Sequence, residues 1–379
     1  MRRLKYFIPI FFAAFIFSSC AAKTQTQIFD TEPVGSMNLK YAEQFSVDFY
    51  DDGFSIITIG TADKYLLVPQ DKEIPENVPA DITIIKQPAE NIYLAASSAM
   101  DLFDGINSLG SIYASSTKEK DWSLPNVKAA MESGKILYAG KYSAPDYELI
   151  LSEKCSLAIE STMIYHKPEI KEMLENQGIP VMVERSSYES HPLGRMEWIK
   201  LYGLLVGKEK EAEDFFNEKI GLLENNVTDK ETGKTAAFFY IGSNGNVNVR
   251  KSGDYISKMI ELAGGQYVFS AGDLKVDDND LSTMNIQFET FYALAKDADF
   301  LIYNSTVDGG ISTAGQLVEK NALLADFKSV QNGNVWCTEK NMFQQTTGAA
   351  DVIYEMSKIF SGETDENFEF FYQLEQEQK

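Results

Sequence analysis

The side chains best suited to nucleophilic or metal chemistry are few in this chain. It has two histidines, His166 and His191, and three cysteines, Cys20, Cys155 and Cys337. So few sulfur and imidazole groups, scattered along the sequence, cannot form a Cys-rich or His-rich metal cage. The wide separation of Cys155 and Cys337 does not imply a disulfide. No GxxxxGK[ST], GxSxG or HExxH pattern occurs. Gly242-Ser243-Asn244-Gly245 is a loose glycine turn after a strand-like run. It lacks the third glycine and the downstream acid that a dinucleotide site needs. Asp277-Asp278-Asn279-Asp280 does not have the spacing of an EF-hand and reads as a solvated acidic loop. No nucleophile, base and orienter fall into one pattern, so the sequence predicts no catalytic residue and no intrinsic cofactor.

The elements that would position any site follow from hydrophobic rhythm. Met1-Arg2-Arg3-Leu4-Lys5 is a basic start. An apolar run, Tyr6 to Phe17, follows, and then Ser18-Ser19-Cys20-Ala21. The run is too short to span a bilayer and reads as a secretory leader over residues 1–19. Cys after Ser-Ser resembles a bacterial lipobox, with Cys20 as the lipidated residue. Residues 20–36 read as that Cys and a polar tether.

The body should then begin with short alternating strands over 37–68, with Asp51-Asp52-Gly53 as a hairpin turn. Beyond Pro69, Pro75 and Pro79 the pattern changes to short apolar strands alternating with amphipathic helices. Such alternation predicts an α/β fold with mainly parallel sheets. Residues 37–190 are expected to form a first lobe and 227–379 a second. A long helical stretch over 191–226 would join them, with a break marked by Gly207.

Charge narrows the class of partner. The chain of 379 residues carries 34 Lys+Arg against 56 Asp+Glu, a formal net charge of −22. Loss of Arg2, Arg3 and Lys5 with the leader would make it −25. Nucleic-acid affinity comes from Lys and Arg on phosphates, so a nucleic-acid partner is excluded. Broad docking on anionic lipid is disfavoured for the same reason.

Several segments, taken in order, resemble the class III periplasmic binding proteins, the substrate-binding components of ABC importers for siderophore iron, haem and vitamin B12. They are Pro88-Ala89-Glu90-Asn91-Ile92 with Leu109-Gly110-Ser111-Ile112, and Asp146-Tyr147-Glu148-Leu149-Ile150 with Ser156-Leu157-Ala158-Ile159, where Cys155 and Ser156 replace the family's usual Pro-Asp. Then come Leu174 to Val181, similar to "L-x-x-x-G-I-P-V", and Leu204 to Ala212, similar to "l-l-G-k-e-x-x-A". Ala263-Gly264-Gly265 and Asp297-Ala298-Asp299-Phe300 complete the series. The resemblance runs from about Pro88 to Phe360 and leaves residues 37–79 uncovered.

This resemblance implies two Rossmann-like lobes on one rigid helix, a ligand cleft between them, and small hinge motion. It implies no enzyme activity. The protein would be a monomeric lipoprotein working with a membrane permease and its ATPase. Each lobe would offer a glutamate to arginines on the permease, here Glu148 and Glu289. Cleft positions would include Tyr142, Ser243, Asn244, Arg250, Met342, Phe343 and Gln345. His191 and Arg195 cap the linking helix. The first is a candidate ligand of haem or cobalt and the second a partner for an anionic group, with plain capping and lobe packing as the alternative for both. Free zinc or manganese, which related proteins hold with about three His and a carboxylate, does not suit a chain with two His. A metal chelate (ferric siderophore, haem or corrinoid) suits it better. The alternatives are a lipid-anchored extracellular enzyme or a surface docking protein on the same scaffold.

Overall fold

The computed structural model describes residues 32–227, 231–274, 282–307, 309–363 and 367–376. The leader, Cys20, most of the tether and the acidic run 277–280 lie outside the described residues.

The expected early strands form a sheet of their own. Gly35–Ser36, Phe45–Phe49, Ser55–Ile59 and Asp63–Pro69 pair antiparallel in chain order, and Ile82–Gln87 adds on in parallel. Period-two alternation sends Phe45, Val47, Ile57, Ile59, Tyr65, Leu67 and Ile85 into the main core. Ile56, Leu66 and Val68 form a small cluster on the opposite face.

The first lobe's central sheet is wholly parallel, in the order Val181–Glu184, Leu157–Ser161, Ile92–Leu94, Ile112–Ser115, Leu137–Tyr138. The chain starts in the middle, winds outward through Ile112 and Leu137, then returns to the other side at Leu157. The strand order therefore reverses between Ile92–Leu94 and Leu157–Ser161. Doubly wound sheets bind ligands outside the carboxyl ends of strands at such a point.

The second lobe repeats the idea with additions. Lys234–Ile241, Phe300–Tyr303 and Val335–Thr338 run parallel, with Gly265–Tyr267 also parallel beside Lys234. Antiparallel strands flank them: Val247–Arg250 and Thr283–Ile286 on one side, Phe371–Gln373 on the other. Cys155 and Cys337 are not joined in a disulfide, and each is buried in its own lobe.

The stretch 191–226 departs from the expectation of one connecting helix. It is two helices, Pro192–Val206 and Glu209–Asn226. Gly207 closes the first in a left-handed conformation, φ +70°, and the chain folds back on itself. Such a residue ends the first helix and allows the reversal. Lys200 on the first helix then meets Glu213 on the second at 3.1 Å. The first helix packs on Ser97–Gly105 of the first lobe and on Tyr255–Leu262 and Ala349–Ser361 of the second. The second helix leads into the second lobe and is tied to it by Lys219 and Asp351 at 2.7 Å. The joint is thus a helical hairpin, buried between lobes on nearly every side of its first arm.

Candidate functional site: the cleft between the lobes

The chain beyond the carboxyl end of a parallel strand in each lobe comes together at one seam. The loop after Val335–Thr338 reaches the first lobe directly. Thr346 Oγ1 donates to Ser98 O at 2.8 Å, and Thr347 N donates to Asp101 Oδ2 at 2.7 Å. Gln344 accepts from Ser123 N at 2.6 Å and donates to Asp121 O at 2.8 Å. Ser98 lies in the first turn of the helix Ser97–Gly105, which follows strand Ile92–Leu94. The seam therefore lies at the switch point of the first lobe. Asp101 is buried, and this desolvation pushes its carboxyl up to about 6 despite the hydrogen bonds from Thr347.

Large apolar side chains stand exposed at or just after strand carboxyl ends. Tyr138 ends the outermost strand of the first lobe. Met163 and Tyr165 lie on the turn Thr162–His166 that follows the switch strand, and Val307 follows Phe300–Tyr303. Their exposures are 36%, 47%, 48% and 55%. Lys118 places its ammonium 5.5 Å from the Tyr138 ring. His166 is exposed next to Tyr165. On the second lobe, Ser305, Ser312, Thr338, Lys340 and Tyr372 line a hydroxyl-rich hollow. Ser305 Oγ donates to Thr338 O there, while Tyr372 donates to Ile311 O at 2.9 Å. The first lobe thus exposes aromatic and apolar groups after its strands, and the second offers a hydroxyl-rich hollow near Val307, a combination that suits a ligand with a flat apolar body and polar edges.

The sequence-derived candidates divide into groups. Arg195, Arg250, Met342 and Phe343 come together around Tyr255. The Arg195 guanidinium lies 4.0 Å from the Tyr255 ring, and that of Arg250 lies 5.5 Å from it and 5.4 Å from Phe343. Asp254, 3.6 Å from Arg250, caps the helix Tyr255–Leu262 through Ile256 N at 2.9 Å. Arg195, Tyr255, Met342, Phe343 and Gln345 line a narrow pocket where the hairpin meets the second lobe. Arg195 Nε is buried there without a hydrogen-bond partner. Beyond Cys20 the chain has three arginines, Arg185, Arg195 and Arg250. Two of them share one tyrosine, with one carboxylate between them, so the spot carries net positive charge in an acidic protein. Gln345 is committed to Asn341 at 3.1 Å and Glu369 at 2.9 Å.

The remaining candidates are not part of that group. Ser243 and Asn244 occupy the exposed turn between Lys234–Ile241 and Val247–Arg250, where Asn244 Oδ1 accepts from Asn246 N at 3.1 Å. Tyr142 sits at the tip of a small hairpin between Gly140–Lys141 and Ala144–Pro145, half-buried on the first lobe's satellite cluster. His191 serves as cap and packing group. Its Nδ1 accepts from Leu193 N at 3.2 Å and its ring stacks on Tyr41 at 4.6 Å. Burial, with Lys258 nearby, lowers its pKa. Glu148 and Glu289 are both exposed, each in the first turn of a helix, Tyr147–Ser152 and Phe288–Ala295. Among the described residues no group of His, Cys, Asp and Glu is arranged to hold a metal ion.

Sequence reasoning missed Lys118, Tyr138, Met163, Tyr165 and the seam residues Asp101, Thr346 and Thr347. The detectable signal was an aromatic within a few residues of each strand's carboxyl end, as in Met163-Ile164-Tyr165-His166.

Two doubly wound lobes that meet at a seam after their strands, joined by a buried helical hairpin, have the architecture of a two-lobe binding protein. The chain belongs to the periplasmic binding protein family, which matches residues 94–342. Similar solved structures include a periplasmic haem-binding protein of Pseudomonas aeruginosa, with 12% identity, a TM-score of 0.60, and coverage of 76% of this chain and 99% of that one. Another is the catecholate-siderophore binding protein VctP of Vibrio cholerae, with 16% identity, a TM-score of 0.56, and coverage of 72% and 95%. At these identities the likeness establishes the fold. An uncharacterized lipoprotein of Methanocaldococcus jannaschii is 26% identical, with 92% of this chain and 90% of the relative covered.

Proposed function

We propose that this protein captures a metal chelate, a ferric siderophore, haem or corrinoid, in the interlobe cleft and delivers it to an ABC permease with its ATPase. The observation that carries this reading is the set of exposed apolar side chains, Tyr138, Met163, Tyr165 and Val307, at or just after the carboxyl ends of parallel strands in the two lobes. A chelated metal already has its ligands, so its carrier needs aromatic and apolar contact more than first-coordination groups. Arg195 and Arg250 would hold an anionic edge of the ligand. Glu148 and Glu289, exposed and at helix starts, would meet permease arginines. Cys20 would carry the lipid that keeps this monomeric protein at the outer face of a membrane. The name of the archaeal relative supports that placement.

A thermal-shift panel of ferric siderophores, haem and cobalamin tests the reading. A ligand at 100-fold its Kd should add about 2.7 kcal/mol of stability. Tyr138→Ala and Tyr165→Ala should weaken binding about 3- to 10-fold each without lowering the melting temperature, since both rings are exposed. Absence of a shift with every chelate would remove the chelate assignment and leave a binding protein for another small molecule.

A further inference from the structure

We infer that residues 38–44 form a strap that locks the interlobe hairpin, with Glu189 and Glu197 as the positioning residues that hold it. These residues precede the part of the chain that the family matches, 94–342. The inference does not depend on which ligand the cleft holds.

The Glu197 carboxylate is fully buried on the first arm of the hairpin. It accepts backbone N–H groups from three successive strap residues, Lys40 at 2.9 Å, Tyr41 at 2.7 Å and Ala42 at 2.9 Å. Successive N–H groups converging in this way make an anion nest. Just before that arm, Glu189 accepts from Glu43 N at 2.8 Å and Gln44 N at 2.9 Å, and from Trp198 Nε1 at 2.8 Å. Five consecutive strap N–H groups are therefore satisfied by two carboxylates of the joint.

The second arm is drawn into the same network. Lys200, itself buried, donates to Asn38 O at 3.0 Å and pairs with both Glu197 and Glu213 at 3.1 Å. Tyr41 packs between His191 on the first arm and Phe216 on the second, at 4.6 and 6.3 Å. Lys40 reaches Glu224 at 3.2 Å. Gly194 has no room for a side chain, because a Cβ would come within 2.8 Å of Tyr41 O. The strap thus touches both arms and continues into the strands of the first sheet. With it in place, the two arms and the first lobe move as one body. Only the far side of the hairpin, where it meets the second lobe, is left to flex. A buried carboxylate is retained where such a full set of donors holds it.

The test is the distribution of interlobe distances in the full-length protein. Spin labels on cysteines introduced at Glu172 and Glu319 report it. Both positions are exposed, one on each lobe, the native Cys155 and Cys337 are buried, and Cys20 is replaced by Ser in every variant. Glu189→Ala with Glu197→Ala should broaden the distribution at least twofold while far-UV circular dichroism stays native. Tyr41→Ala should broaden it less. Lys72→Ala, which breaks the Lys72–Asp52 pair between two turns of the first sheet, should leave it unchanged. A wild-type width in the folded double variant overturns the inference. Should that variant fail to fold, Tyr41→Ala decides, and an unchanged width there overturns it equally.

Discussion

Asp101 Oδ2 stands 2.7 Å from the backbone nitrogen of Thr347, and this bond joins the first helix of one lobe to a loop of the other. Its carboxyl is buried beside Asp104, with Lys219 contributing a weaker opposing pull. The raised pKa, about 6 against an ordinary 3.8, means that the folded state holds this proton more tightly than the unfolded chain does. Stability from this group is therefore greatest below pH ~4, falls as pH rises towards 6, and is flat above that. Asp101→Asn should flatten this window in urea titrations at pH 4 to 7. Asp101→Ala should cost about 1–3 kcal/mol near pH 4, because Thr347 N–H loses its acceptor, and less at pH 7, where the wild type has lost the stability tied to the bound proton.

Glu160 gives a second, larger pH effect with the same sign. It lies on the switch strand with both carboxylate oxygens buried and unpartnered, as are the hydroxyls of Tyr93 and Tyr147. Desolvation pushes its pKa to about 8 from 4.5. The folded state again binds the proton more tightly, so stability falls as pH rises from about 4.5 to 8. A tenfold difference in proton affinity between the folded and unfolded chain corresponds to about 1.4 kcal/mol. Glu160→Gln should match the wild type near pH 4 and exceed it by several kcal/mol at pH 8. Equal melting temperatures for the two proteins at pH 8 would contradict this account of Glu160.

The docking role proposed for Glu148 and Glu289 can be separated from a role in the cleft by its readouts. Glu148→Ala with Glu289→Ala should abolish ligand uptake in cells that carry the transporter, while ligand affinity and melting temperature stay unchanged. Both side chains are exposed, so their loss leaves no buried hole. Weakened ligand binding by the double variant would place these carboxylates in the cleft or the fold instead.

Much of the fold was legible because local signals agreed with the tertiary structure. Pro168 at the start of Pro168–Asn176, Asp254 capping Tyr255–Leu262, and the apolar run Phe300–Tyr303 each mark an element where it occurs. The helical joint was harder to read. Glu197 and Lys200 in Pro192–Val206 look like a solvated face, yet both are buried by a strap far upstream in the sequence. Periodicity registers polarity, and cannot register that distant backbone N–H groups satisfy it. Gly207 was visible as a stop, but the direction the chain takes after a stop depends on what packs on the next helix. The same limit applied to the site. Arg195, Arg250, Met342 and Phe343 were named and do converge. Tyr138 and Tyr165 were passed over because an exposed aromatic and a buried one look identical in sequence.

The two described cysteines, Cys155 and Cys337, are sealed inside opposite lobes. Any thiol introduced at the rim would then be the one accessible to reagent among the described residues. Replacing Met163 or Val307 with cysteine and attaching an environment-sensitive dye would make the molecule an optical reporter of its own occupancy. Cargo could then be sought by fluorescence in crude extracts before its chemistry is known.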